Sequence, residues 1–385
     1  MGKGAQRDWK AGEVGILTFH CSDNFGAMLQ AYALKRRLRA EGAAADIVRY
    51  EPPFLTGRHW LIPYLPAEGP RGWLRSAAYA VSGMLRNLRS IRSFTARRSS
   101  MRRFRMEYLV DRNQPRILFL PGLKKLSYRC YVVGSDQIWN PDITFGLRRA
   151  YFGDFEARNK ERTVAYAASL GGGALPVRYE RRFAELVRRL DAVSVREAGA
   201  VSCVRRFFPG TVTAVTDPVF FLKKQEWKKA ERLPGRENYI LVCVTETNRA
   251  MAEYVHGLSR ETGLSVLELR AGMAESGGRF PADAAAGPAE FLGYVDCARY
   301  VVTNSFHAAA FSVLYEKQFL VFAHSRVNER IVSLLALCGL EERLCREEGG
   351  DITAPVDWPA VRARTAAAAD RSLAFLCSSI AGRPE

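Results

Sequence analysis

No apolar run in the 385 residues approaches the ~18 that a membrane-spanning helix needs. The opening stretch, Met1 to Gly12, is polar and lacks the apolar core of a signal peptide. The expected compartment is therefore the cytoplasm. The eight cysteines include no Cys-x-x-Cys pair, which argues against a zinc ribbon or a dithiol redox site. Cys130, Cys243 and Cys297 lie in or beside apolar stretches and are expected to pack as small hydrophobes in a reducing compartment. Histidine is scarce, at five, and no His, Cys and carboxylate cluster has zinc-like spacing. No metal site or cofactor is expected. Acidic residues are also few, 40 against 57 basic ones, leaving a formal charge of +17.

That charge favours anionic partners: nucleic acid, anionic lipid or an anionic substrate. Arginine is densest between Phe54 and Arg112, where twelve arginines face three acidic residues. No recognisable nucleic-acid module accompanies them, so no nucleic-acid partner is expected. Within this insert of about 55–110, Leu74, Ala77, Ala78, Val81, Met84, Leu85, Leu88 and Ile91 recur at helical spacing. Arg75, Arg86, Arg89 and Arg92 fall between them. A basic amphipathic segment over 71–105 can touch an anionic membrane surface. Packing of its apolar stripe on its own domain is the favoured reading.

Elsewhere strand and helix alternate. Val14–Phe19, Asp46–Tyr50, Arg129–Val133, Thr163–Ala167, Ala192–Val195 and Val212–Val215 read as buried strands. Gly26–Ala40 and stretches near 178–190 and 197–206 read as helices. After a lysine-rich link the alternation restarts at Tyr239–Val244. A helix from Arg249, a strand at Ser265–Leu269, a strand–helix turn at 300–315 and a strand at Phe319–Phe322 follow. Helices over Glu329–Leu337 and about 359–380 complete it. This predicts two Rossmann-like, doubly wound α/β domains facing a cleft, with linker 223–237 between 1–222 and 238–385.

Four strand mouths carry polar motifs. The first runs from His20 through Asn24, Gly26 and Gln30. Asn24 and Gly26 suit a tight turn that brings backbone near a ligand. The turn lacks both the three-glycine dinucleotide fingerprint and the Gly-Lys-Ser/Thr of a P-loop. The second, Gly134-Ser135-Asp136-Gln137-Ile138-Trp139, offers uncharged donors, a carboxylate and an aromatic, as a sugar loop does. Asp136 could orient or deprotonate a hydroxyl. The third holds Arg196, whose guanidinium can fork onto phosphate or carboxylate. Asp217, at the next strand end, reads as a turn former. The fourth is Thr303-Asn304-Ser305-Phe306-His307. Asn304 and Ser305 are helix N-caps, and a helix start suits an anion. A histidine there can donate a proton near neutral pH. Arg326 and Arg330 could reach the same anion across the cleft.

Taken in order, these blocks resemble the polysaccharide pyruvyl transferase family. Those that carry the resemblance are Asn24–Leu34, Gly134–Asn140, Ala165–Ser169, Ser194–Glu197, Asp217-Pro218 and Thr303–His307. The resemblance implies a GT-B-like enzyme. Such an enzyme moves the enolpyruvyl unit of phosphoenolpyruvate, a co-substrate, onto a sugar as a cyclic ketal. It implies His307 as general acid and Arg196 as phosphate binder. Several members carry Arg-Leu-His, and here Ser305 stands at the arginine position. The missing charge then has to come from Arg196, Arg326 or Arg330. The expected acceptor is a sugar, glycan or lipid-linked glycan of the cell envelope, met by the first domain. The rival reading is a GT-B glycosyltransferase that uses a nucleotide sugar.

Overall fold

The structure is a computed structural model that describes residues 13–56, 91–270, 280–323, 329–345 and 349–382. The helical periodicity over Leu74–Leu88 and residue Arg326 lie outside that set. Among the described residues, no helix is long and apolar enough to cross a membrane.

The first strand, β1 (Val14–Leu17), is buried at every position, as a central strand covered on both faces must be. Asn24 caps the next helix, α1 (Phe25–Ala40), by accepting a hydrogen bond from the Ala27 N–H. Strand β2 (Ala45–Ile47) returns beside β1. Helix α2 (Ile91–Phe104) comes from the Arg-rich insert. Then follow β3 (Cys130–Asp136), β4 (Arg162–Ala168), α3 (Val177–Val187), β5 (Ala192–Val195), α4 (Ala200–Arg205) and β6 (Val212–Ala214). All pairings in this sheet are parallel, in the order β2-β1-β3-β4-β5-β6.

The second half repeats the plan with β7 (Ile240–Val244), α5 (Arg249–Thr262), β8 (Val266–Arg270), α6 (Pro288–Cys297), β9 (Tyr300–Thr303), α7 (Phe306–Leu314), β10 (Gln318–Phe322), α8 (Glu329–Cys338) and β11 (Leu344–Cys345). Its parallel order is β11-β10-β9-β7-β8. Each sheet thus reverses strand order once, between β1 and β3 and between β7 and β9. Those reversals leave crevices at the carboxyl ends of the strands, where ligands bind in such folds. Helix α6 and strand β11 are absent from the sequence-based expectation. Helix α6 opens on Gly287 and Pro288 and carries few polar residues to mark a helical face.

One boundary differs from the 238–385 division. The last helix, α9 (Trp358–Ala381), crosses back to the first sheet. Its Leu373 and Leu376 share a core with Val164, Tyr166 and Ala167, and Ser372 Oγ accepts a hydrogen bond from the Thr216 N–H at 3.0 Å. The halves also join through aromatic rings. Phe25 stacks on Phe291 at 5.3 Å, and Phe291 and Trp227 pack edge-on against Phe311. Large buried rings of this kind contribute ~0.5–1.5 kcal/mol per pair beyond their area, which favours one relative placement of the halves.

The described part of the insert packs inward. Met101 and Phe104 are buried, and Phe104 lies against Tyr32 and Tyr108.

Candidate active site at the meeting of two strand mouths

His307 stands in the first turn of α7. Ser305 caps that helix, its Oγ accepting from the Ala308 N–H. Asn304 is held within its own half. Its Oδ1 accepts from the Thr245 N–H at 2.8 Å and its Nδ2 donates to the Glu246 carbonyl at 2.8 Å. Asn304 therefore ties the β9 mouth to the β7 mouth and fixes where α7 begins.

The imidazole is pressed onto the opposite half. A Cβ built on Gly26 would overlap the His307 ring. The glycine at the start of α1 is thus a close-approach residue, and any side chain there displaces the histidine. On the other side of the ring, His307 Nε2 lies 3.7 Å from Asp217 Oδ2. That is an ion-pair distance, longer than a hydrogen bond.

Asp217 is the hub of the site. It is fully buried, its Oδ2 receives Arg196 Nη1 at 2.7 Å, and Ser135 Oγ donates to the same oxygen at 3.4 Å. Its other oxygen caps the following turn through the Val219 N–H. Burial opposes its charge. The His307 and Arg196 contacts outweigh burial and hold the carboxyl well below the usual range. The turn-forming role expected from sequence is present, and a second role on Oδ2 accompanies it. An Asp-Pro pair is a turn signal whatever its free oxygen faces, so sequence alone could not separate the two.

Arg196 is buried. Besides Asp217 it faces Asp136, with Nη2 3.6 Å from Oδ1, and lies 4.8 Å over the Phe306 ring. Arg330 lies over the same ring at 5.8 Å and 4.0 Å from Glu197 Oε1. Burial, then repulsion from Arg196, pushes the Arg330 guanidinium down to about 10. Glu197 is buried and accepts from Ser169 Oγ, and its carboxyl is raised chiefly by burial. So the Ser305 turn has two guanidiniums beside its Phe306, drawn from β5 and α8. Glu197 and Ser169 join the site although only their order in the chain pointed to them.

Asp136 has a left-handed backbone, φ +78°, at the end of β3, and its Oδ1 accepts from the Gln137 N–H at 2.9 Å. Gly134 also has positive φ, and a Cβ there would overlap the Tyr166 carbonyl. Gln137 faces Asn140, receiving its Nδ2 at 2.8 Å.

Three expected acceptor residues are placed elsewhere. Trp139 is fully buried, stacked on Phe152 with its indole N–H on the Tyr151 carbonyl. His20 is fully buried with Nδ1 3.2 Å from the Thr18 carbonyl. Gln30 is buried and donates to Thr18 Oγ1 at 2.7 Å and to the Ala27 carbonyl at 2.8 Å. Each supports the loop from inside. Their residue types gave no sign of orientation, because a buried amide and a sugar-binding amide look alike in sequence.

Several buried N–H groups here have no hydrogen-bond partner: Arg196 Nε and Nη2, Arg330 Nε and His307 Nε2. Native proteins rarely bury donors unsatisfied. Arg196 and Arg330 also line a cavity of about 300 Å³ that Asp217 and Arg371 share and whose remaining wall is largely apolar, with Val215, Phe306, Leu334 and Leu337. Arg371 comes from α9 and carries no motif in the sequence. A surplus of cationic donors around a small cavity is suited to a compact anion with more than one acidic group.

The family model described as "Polysaccharide pyruvyl transferase" matches residues 24–326. No curated protein matches the chain. Among solved structures, UDP-N-acetylglucosamine 2-epimerase from Rickettsia bellii is similar at 7% identity and TM-score 0.47, covering 97% of each chain. The Methanocaldococcus jannaschii UDP-GlcNAc 2-epimerase is similar at 9% identity and TM-score 0.42, covering 93% of this chain and 92% of its own. The glycosyltransferase SnogD from Streptomyces nogalater is similar at 12% identity and TM-score 0.34, covering 96% of this chain and 99% of its own.

Proposed function

Since the chain belongs to the polysaccharide pyruvyl transferase family, we propose that it transfers the enolpyruvyl group of phosphoenolpyruvate to a sugar as a cyclic ketal. The observation that carries this reading is the pair of buried guanidiniums, Arg196 and Arg330, with N–H groups that make no hydrogen bond at the meeting of the two strand mouths. Phosphoenolpyruvate brings a phosphate and a carboxylate on a three-carbon frame. Arg196 and Arg330, with Arg371 at the cavity wall, supply planar donors for both groups.

The chemistry then divides among the residues in place. His307, beside the Asp217 carboxylate, gives its Nε2 proton to the methylene carbon of the enol phosphate. The adjacent carbon becomes oxocarbenium-like and is attacked by one sugar hydroxyl. Its bond to the phosphate oxygen breaks, and a second hydroxyl closes the ketal. Two hydroxyl protons are released. One restores the histidine and the other leaves with phosphate. Asp136, at the acceptor-side mouth, orients or deprotonates a hydroxyl. Asp217 keeps Arg196 charged and in place and stabilises the imidazolium.

The acceptor is a sugar of a cell-envelope polysaccharide or of its precursor, and the reaction is cytoplasmic. The test is incubation with phosphoenolpyruvate and a panel of precursor sugars, read by mass spectrometry and by phosphate release. A product heavier by pyruvate less water, formed with equimolar phosphate, is the expected result. Turnover of a nucleotide sugar with no use of phosphoenolpyruvate would overturn it.

A further inference from the structure

The arginines of the insert are not used by the chemistry above, yet several line a second cavity of about 290 Å³. One wall is α2 and the π-helical turn after it, with Arg98, Met101, Arg102 and Arg105. The facing wall is the acceptor-side strand mouth, with Cys21 and Asp23 after β1 and Arg49 and Glu51 after β2. Arg116 closes one end. Five guanidiniums therefore meet two carboxylates. Glu51 is already committed, accepting from Arg49 Nε at 3.1 Å and from Arg116 Nε at 2.6 Å.

Arg102 and Arg105 stand out on this wall. Arg105 Nε is buried without a hydrogen-bond partner. An unmet buried donor is destabilising, and a bound oxygen would remove that cost. Burial and then the charge of Arg105 push the nearby His20 imidazole down to about 4, so that guanidinium acts inward, toward the loop. A neighbouring cavity of about 560 Å³ shares Arg49 and Arg102 and adds Arg103 and Arg112, extending the positive track. The arginines line concave space, which suits a small multiply charged anion better than a flat membrane surface.

The pocket is also close to the chemistry. Asp23 on its wall precedes Gly26, beneath His307, by three residues. Such a stretch spans at most about 10 Å, roughly a sugar ring or two. We propose that this arginine pocket binds the phosphate or diphosphate by which the acceptor sugar is joined to its carrier. The role given to the sugar rests on the pyruvyl-transfer reading, whereas anion binding does not.

The test is calorimetric titration of the full chain with inorganic pyrophosphate. Wild type should bind it. Arg102→Ala with Arg105→Ala should weaken binding at least about tenfold, more than Arg196→Ala does. Arg105→Lys, which keeps charge and fold, should weaken it less. No binding by wild type, or loss with Arg196→Ala and none with the double variant, overturns the proposal. Two competitors then separate the carriers: a nucleotide diphosphate sugar and a short-chain polyprenyl diphosphate sugar. Displacement of pyrophosphate by either one supports the assignment and names the carrier. Displacement by neither overturns the acceptor role. Binding is read without turnover, so intact pyrophosphate binding with no ketal product would count against pyruvyl transfer alone.

Discussion

At the mouth of the first sheet the side chains are charged and largely hold one another: Asp217 with Arg196 and Ser135, Arg196 with Asp136, Glu197 with Ser169. At the mouth of the second sheet they are neutral caps, Thr245, Asn304 and Ser305, around one histidine. The first mouth is an electrostatic frame that exists before any ligand arrives. The second is a rigid mount that presents a proton carrier to that frame. Neither is complete alone, and the point of assembly is narrow: the bare backbone of Gly26 against the His307 ring.

Predictions that break this division of labour fall in order of size. His307→Gln should lower kcat about 10³-fold while phosphoenolpyruvate still binds, since a general acid contributes about 10²–10⁴. Stopped turnover with retained donor binding would be seen by combining kinetics with calorimetry. Asp217→Asn should act on the frame itself. It leaves Arg196 buried beside a weaker partner and should cost about 3 kcal/mol in urea unfolding, at the low end for a broken buried pair. Donor binding should fall with it.

Gly26→Ala tests the junction. The added methyl must move the ring or the helix, for about 1–3 kcal/mol of strain. Turnover should drop about a hundredfold because a misplaced proton carrier is a poor one. Gly172→Ala, where a Cβ meets open space, should do neither. Arg330→Met should raise the donor KM about tenfold with kcat nearly kept, because it removes charge from the cavity and leaves the frame. An unchanged donor KM would take Arg330 out of the site.

The smallest effect is on pH dependence and belongs to the first half. His20 is pushed down from 6.5 to about 4 by burial and Arg105. The unfolded chain then takes up a proton before the folded one does. Stability is complete above about 6.5 and declines as pH falls toward 4. Between pH 7 and 5.5 this amounts to about 1 kcal/mol. Urea melts at the two pH values should show it, and His20→Gln should flatten it.

The alternation of strands and helices was legible because buried parallel strands read as short β-branched runs, such as Tyr300–Thr303 and Ile240–Val244. The return of α9 to the first sheet was not, since an alanine-rich helix says nothing about which sheet it covers. At the site, the polar residues at strand mouths were visible as types, and their orientations were not. Trp139 and Gln30 face inward and Asp217 faces a histidine of the other half, and these directions depend on packing that the residue types do not show. Gly26 reads in sequence as a tight-turn glycine, whereas it stands in the first turn of helix α1. Its partner, the His307 ring, belongs to the other half.

The central claim is that Arg196 and Arg330, whose buried Nε atoms lack a hydrogen bond, receive phosphoenolpyruvate. Thermal unfolding with a hundredfold excess of ligand over Kd reads about 2.7 kcal/mol of stabilisation for a one-site ligand. Phosphoenolpyruvate should stabilise the wild type and His307→Gln to this degree and leave Arg196→Ala unmoved. Stabilisation by a nucleotide sugar with none by phosphoenolpyruvate would contradict the account.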